Sequence, residues 1–514
     1  MEPGQPVRSG AGIPLERLAR HVRTRSFCAG LALLKSDSCT KLRGMSLALR
    51  ACLPLPLVLL VPIVFGGCKS SVHVPGVDAS FPDSSTSGKH DATTPPFDVA
   101  VVHDANIPDV NRGDAPPPMA NFCNLPGSVV WSGGLPHAVP GGPASAPDLT
   151  WMKVPDGFCS HYFGTVPETR QLRFSPSGDL FVSSPSMGAS GGASGGLGAI
   201  MVLPDDNHDG AADSNLTYLS GLSVTQGLLF TGGNFYYQSG TTVRATPYTN
   251  GDRVASGAGT QVIDVNVYTS SVHWPKVLDV DDSGNIYVTN GGDEGEACDP
   301  TVAGPDRPFH GGILRIDGTP NGELIAKGLR NAYALRCAKG TGTCFGLELA
   351  RDFAAELGSR EKLFPVQKGD DWGFPCCATA DTPYSDYTSP APDCSTVSSE
   401  EDSFIIDHTP FGLDFEEGFW SGAWKYRAFI GLHGYFGSWI GARIVGIATD
   451  PRTGWPVSAA ESDAGTAMED FATGWDDGKQ DHGRPAAVTF APDGRLFIGN
   501  DMNGMIVWIA PVMP

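Results

Sequence analysis

The chain of 514 residues carries 35 Lys and Arg against 56 Asp and Glu, a formal net charge of −21, which repels nucleic-acid phosphates rather than attracting them. Its 65 Gly and 42 Pro punctuate the backbone too often for long helices and suit many short strands joined by turns, so a helical bundle is excluded.

Met45-Ser-Leu-Ala-Leu-Arg50 carries one positive charge and leads into the apolar run 51–65, which is interrupted by Pro54, Pro56 and Pro62 and ends at Gly66-Gly67-Cys68. The run is shorter than the roughly 20 residues that span a bilayer and is kinked by its prolines, so it reads as a secretory signal peptide rather than a permanent transmembrane helix. The patternless residues 1–44 place the expected start of translation at Met45. Phe65-Gly66-Gly67-Cys68 resembles the lipobox of bacterial lipoproteins. The resemblance implies acylation of Cys68 and anchoring to the cell envelope, at the outer membrane or the periplasmic face of the inner one. An ordinary cleavage site beside an incidental thiol is the alternative.

From 68 to 150 the chain is rich in Ser, Asp, Pro and Gly and poor in aromatics, a composition that cannot bury enough apolar area to fold alone. It reads as a tether pinned at its end by Cys123, or as an insertion packed along the following domain. Beyond the signal region and Cys68 eight cysteines remain, an even number that suits disulfides in an exported chain. Cys337 and Cys344 flank a hairpin-like turn, while Cys376, Cys377 and Cys394 require a further partner such as Cys298. Thiolate metal ligation is the other possibility, but Cys376-Cys377 is not zinc spacing.

Residues 151–514 repeat a phrase of a Gly-containing turn followed by an alternating strand. It is clearest at Ser175-Pro-Ser-Gly-Asp-Leu-Phe-Val182, Asp281-Asp-Ser-Gly-Asn-Ile-Tyr-Val288 and Ala491-Pro-Asp-Gly-Arg-Leu-Phe-Ile498. Weaker copies lie at 231–237, 340–345 and 424–430. The turn glycines 178, 233, 284 and 342 are 55, 51 and 58 residues apart, which is the length of a four-stranded unit. Six such units predict an all-β, six-bladed β-propeller.

Ligands of such rings sit where loops converge at one end of the axis. His273-Trp-Pro-Lys276 enters one strand, and Asn290-Gly-Gly-Asp293 leaves the next. The hairpin between them predicts His273 beside Asp293, an imidazole and carboxylate fit for general-base work. The bland alternative is a structural hydrogen-bonding histidine. No phosphate loop, HExxH helix or GxSxG elbow is present, which argues against nucleotide, zincin and α/β-hydrolase chemistry.

Gly311-Gly-Ile-Leu-Arg-Ile316, Gly328-Leu-Arg-Asn331, a Glu-containing strand at Glu348 and Gly369-Asp-Asp-Trp-Gly-Phe-Pro375 follow one another in order. Val154-Pro-Asp-Gly-Phe158 and Thr169-Arg170 lie upstream; Phe411-Gly-Leu-Asp-Phe415, Leu432-His-Gly434 and Gly483-Arg-Pro485 lie downstream. Over about 150–512 this series resembles the glucose/sorbosone dehydrogenases, six-bladed propellers that use pyrroloquinoline quinone and calcium. The resemblance implies oxidation of a sugar or related alcohol or aldehyde. It places the proton-abstracting base at His273, its orienting carboxylate at Asp293, and the quinone-holding pair at Arg330 and Asn331, with Arg330 also stabilising charge on the cofactor oxygens. Calcium would fall on the backbone carbonyls of Ala350 and Arg351. The chain departs from the family at Ala332-Tyr-Ala334 (commonly Pro-Gln-Gly), at Glu348-Leu-Ala350 (Glu-x-Gly) and at Ile506-Val-Trp-Ile509, which lacks the usual Arg. These departures keep two alternatives open: a non-catalytic propeller that binds a ligand or partner, and a calcium-dependent lactonase or hydrolase using Asp293, Glu348 and Asp501.

Overall fold

Six hairpin turns in the sequence become six radial sheets. The computed structural model describes residues 120–513 apart from 186–196, 266–272, 293–297, 299–310, 352–358, 386–391, 401, 405–407, 436–438, 458–467 and 478–481. Asp293, Cys68 and the signal region therefore lie outside the described residues. Five four-stranded antiparallel blades follow in chain order, with innermost strands Leu172–Phe174, Leu228–Thr231, Leu278–Val280, Asn331–Ala338 and Pro410–Phe415. In the sixth, Pro485–Phe490, Leu496–Asn500 and Met505–Pro511 come from the C-terminus, and the next strand, Phe158–Thr165, comes from the start of the fold. Pairing Ile509 with Ser160 closes the ring, so no blade is left with an unpaired edge at the seam.

Every repeat identified in the sequence joins an innermost strand to its neighbour. The turn glycines 178, 233, 284, 342 and 494 all have positive φ, which a side chain would strain. In the fifth blade the corresponding turn has Tyr426 at φ 53, held there by its amide donating to the Glu416 carboxylate at 2.6 Å. Blade faces are apolar on both sides and bury against neighbours: Phe181 of the first blade packs edge-on against Phe230 of the second at 4.9 Å. Near the axis Arg173, Asp279, Arg336 and Asp414 cross-link blades one, three, four and five. Arg336 forks onto Asp414 at 2.6 and 3.0 Å, and Arg173 reaches Asp279 at 3.2 Å.

The tether boundary at 150 is corrected by the strands Val129–Ser132 and Leu135–Ala138, which extend the sixth sheet beyond Phe158–Thr165. The folded part thus reaches back at least to Phe122, because Val129 and Trp131 are buried against the seam despite their polar surroundings in sequence. The four disulfides are Cys123–Cys159, Cys298–Cys376, Cys337–Cys344 and Cys377–Cys394. These match the expected hairpin bridge and the expected partner Cys298. Cys123–Cys159 closes 36 residues onto the seam. Replacing both cysteines by Ala is expected to cost about 4 kcal/mol on loop-closure entropy, measured as a lowered denaturant midpoint relative to the oxidised parent.

Candidate active site

All six innermost strands run the same way, so the residues that enter them share one end of the axis. That end collects Arg170, Gln226, His273, Lys276, Arg330, Asn331, Thr409 and Arg484. Apart from Thr409, each is at least nine-tenths buried.

His273 enters the third blade. Its Nδ1 lies 2.6 Å from the carbonyl oxygen of Gly292. A carbonyl only accepts, so Nδ1 carries the proton and, in the neutral ring, Nε2 carries the lone pair. The amide of the same Gly292 donates to the carbonyl of Arg330 at 2.6 Å. One residue, through its two flanking peptide groups, therefore fixes the histidine of blade three relative to the backbone of Arg330 in blade four. The hairpin brings His273 to the strand exit at Gly292, whose carbonyl meets the ring; the expected partner Asp293 lies outside the described residues.

Arg330 is held from two sides. Its amide donates to Glu348 Oε1 at 2.7 Å, and its Nη1 donates to the carbonyl of Ala350 at 2.8 Å. The other Glu348 oxygen accepts Lys362 Nζ at 2.7 Å, an ion pair with side chains 1% and 2% exposed. The glycine ahead of Arg330 is required: Gly328 has φ 75, and a Cβ there would lie 2.4 Å from Asp371 Oδ1 and 2.6 Å from the Gly373 amide. Two motifs about forty residues apart in the chain thus clasp each other, with Phe374 donating its amide to the Gly328 carbonyl. Asn331 pairs with Leu349 across the hairpin, and its buried Oδ1 has no hydrogen-bond partner among the described residues.

Arg170, His433 and Arg484, to which the motif series assigns no role, form the other half of the site together with Asp501. Asp501 Oδ2 accepts Arg170 Nη1 at 2.6 Å, His433 Nε2 at 2.8 Å and Arg484 Nη2 at 3.2 Å. His433 stacks on Phe411 at 3.9 Å, which stacks on Tyr333 at 3.8 Å. Tyr333, Phe411 and His433 thus form an aromatic pile. Burial pushes the His433 imidazole down to about 4, against the pull of Asp501. Burial also opposes the Asp501 charge, but its cationic neighbours outweigh this and hold its carboxyl well below the usual range. With His433 neutral near pH 7, Arg170 and Arg484 carry that compensation. Lys276, fully buried, is pushed by desolvation down to about 7.

Burial of His433 makes stability depend on pH. Unfolded His433 gains its proton near 6.5 and folded His433 only near 4, so its contribution is complete above pH 6.5 and is lost as pH falls toward 4. The loss is up to about 3 kcal/mol, in the same direction as those of the buried His161 and the half-buried His408. Denaturant midpoints at pH 7 and pH 4.5 should converge partway in His433→Gln.

The carbonyls expected to hold calcium are already engaged. That of Ala350 accepts the Arg330 guanidinium, and that of Arg351 has Ser359 Oγ at 3.5 Å. Among the described residues no three His, Cys, Asp or Glu gather in metal-ligand fashion. Two carbonyls beside a fixed cation do not make a site for an ion that takes six to eight oxygens; the described residues alone do not fit calcium here.

No family model matches the chain, and no curated protein matches its sequence. Solved structures do resemble it in fold. They include a Trichoderma reesei carbohydrate-active enzyme of family AA12 (TM-score 0.59, 20% identity, 72% of this chain and 99% of that one). The pyranose dehydrogenase PQQ domain from Coprinopsis cinerea, in its holo form, has TM-score 0.55 at 15% identity, over 71% of this chain and 98% of that one. A glucose dehydrogenase has TM-score 0.50 at 13% identity, over 69% and 99%. The protein is a six-bladed β-propeller of the architecture these enzymes use.

Proposed function

We propose that the protein is an exported, lipid-anchored quinoprotein dehydrogenase of sugars or related alcohols and aldehydes, acylated at Cys68. The observation that carries this reading is Gly292, whose amide donates to the Arg330 carbonyl and whose own carbonyl accepts from His273, with the Arg330 guanidinium held on the Ala350 carbonyl. It sets a lone-pair-bearing Nε2 and a fixed guanidinium at the same end of the axis. The residues there also suit pyrroloquinoline quinone, a flat tricarboxylate. Arg170, Lys276, Arg330 and Arg484 supply cations in a chain that is otherwise strongly acidic, and Tyr333, Phe411 and His433 supply a flat aromatic surface. Among the described residues Arg170 Nε, Thr225 Oγ1, Gln226 Oε1 and Asn331 Oδ1 are buried without partners; ligand oxygens would answer the Arg170 and Thr225 donors, and one ring N–H would answer one of the two amide oxygens.

When bound, the quinone supplies the acceptor for hydride from the substrate carbon. His273 Nε2 takes the proton of the substrate hydroxyl, and Nδ1–H on the Gly292 carbonyl keeps the ring in that tautomer as positive charge develops. Arg330 and Asn331 hold the cofactor edge, with Arg330 opposing negative charge on its oxygens. Asp293 is the proposed further support of the imidazole.

The test is reconstitution of the purified protein with pyrroloquinoline quinone, with and without calcium, followed by absorbance and by dye reduction against a panel of aldoses. Saturable binding with sugar-dependent reduction is expected. A folded protein that takes up no quinone refutes the reading and leaves a binding propeller as the better account.

A further inference from the structure

Between the third and fourth strands of the first blade, on its outer side, the chain reads Asp205-Asp-Asn-His-Asp-Gly-Ala-Ala-Asp213. Oxygen-bearing side chains stand at alternate positions 205, 207 and 209, a glycine follows at 210, and a further carboxylate stands at 213. This is the spacing with which a short loop wraps a calcium ion: positions one, three and five by side chain, seven by its carbonyl, nine by side chain or water, with glycine at six making the bend. The twelfth position, Leu216, has no carboxylate, so the match covers five donors.

The bend is present. Gly210 has φ 88, and a Cβ there would meet Leu125 Cδ1 at 2.9 Å and Trp508 Cζ2 at 3.1 Å. Its carbonyl accepts Trp508 Nε1 at 2.8 Å, so the loop is seated on the seam. An independent observation points to a ligand. Asp205, with a side chain only 11% exposed, has its Oδ1 fully buried and without a hydrogen-bond partner among the described residues, although the Gly210 amide also acts on the carboxylate. Arg495 lies 3.8 Å from the other oxygen and is itself committed to Asp493 at 2.8 Å. The other nearby cation, Arg253, pairs with Asp206, at a position the spacing leaves outside the donor set. Arg495 is thus shared between Asp205 and Asp493, while Arg253 is spent on a carboxylate outside the donor set.

We propose that Asp205, Asn207, Asp209, the Ala211 carbonyl and Asp213 form a calcium site separate from the axial centre, tying the first blade to the ring's seam. In this structure Asp213 is turned onto the amides of Asp206 and Asn207, at 2.6 and 3.3 Å. The three carboxylates therefore do not yet converge, and binding includes Asp213 turning inward or acting through water. The affinity expected of such a module outside the cytosol is on the order of 0.1–1 mM.

Trp508 makes the site readable. Terbium added to the purified full-length protein, without quinone, should give emission sensitised by Trp508, and calcium should displace it. Calcium should also raise the melting temperature by a few degrees. In Asp209→Ala, an exposed position, the emission is expected to fall at least tenfold and the calcium-dependent rise in melting temperature to vanish. Asp209→Asn keeps the hydrogen bond to the Ala211 amide and serves as the variant with intact folding, with the same losses expected. Emission or calcium stabilisation that survives in both variants would overturn the site, and so would a protein that binds no terbium. Quinone uptake by the variants remains at the parent level if the axial reading is right; its loss in parent and variants alike would count against that reading and leave this one standing.

Discussion

His273→Ala is expected to lower sugar-dependent dye reduction by the quinone-loaded protein by about 10²–10⁴-fold, the range general-base removal usually costs, with quinone affinity nearly unchanged. The separation of the two effects follows from geometry. His273 touches the rest of the site through Nδ1 on the Gly292 carbonyl, whereas the proposed cofactor hold rests on Arg330 and Asn331, which are fixed by Glu348, Ala350 and the hairpin register. Truncating the imidazole leaves the Gly292 amide still donating to Arg330. Single-turnover measurements with saturating aldose separate the chemical step from release. A variant that loses quinone binding in proportion to turnover would make His273 a structural residue of the third-blade entry. A variant that keeps full turnover would remove it from the reaction altogether.

Much of the ring was legible because a hairpin joining innermost and second strands demands positive φ, and Gly178, Gly233, Gly284, Gly342 and Gly494 mark five of six turns. The fifth blade was faint because Tyr426 takes that conformation at the expense of strain relieved by Glu416, whose carboxylate also receives the Gly418 and Trp420 amides. The strands at 129–138 were hidden by composition: four-residue strands amid Ser, Pro and Gly carry too little periodicity to stand out, and their stability comes from pairing with residues around Cys159. In the site, spacing placed His273 at the correct end of its hairpin. It gave no way to know that a backbone carbonyl would meet Nδ1, because period and turn length fix where strands end and leave open which atoms meet there. Arg170, His433, Arg484 and Asp501 were visible one by one as motif fragments. Their convergence depends on closing the ring, which brings Asp501 to Arg170 across 331 residues of sequence.

Asp501 carries the second large effect. Its carboxylate, 2% exposed, is shared by Arg170 and Arg484, whose side chains are 10% and 8% exposed. Asp501→Ala leaves two guanidinium groups buried without this counter-charge and His433 Nε2–H without its acceptor, which should cost about 3–5 kcal/mol, a fall in melting temperature on the order of 5 °C for a fold of this size. Asp501→Asn keeps an oxygen for Arg170 and should cost less, although its amide cannot replace the charge. Both variants make the axial end more positive, so an anionic cofactor should stabilise them more than it stabilises the parent, since binding to the folded state raises stability by linkage. Melting curves with and without pyrroloquinoline quinone read this directly. A deficit in Asp501→Asn that shrinks on loading ties the Arg170–Asp501–Arg484 group to the ligand. An unchanged deficit confines Asp501 to holding the seam between the first, fifth and sixth blades, and shifts the cofactor's charge compensation to Lys276 and Arg330.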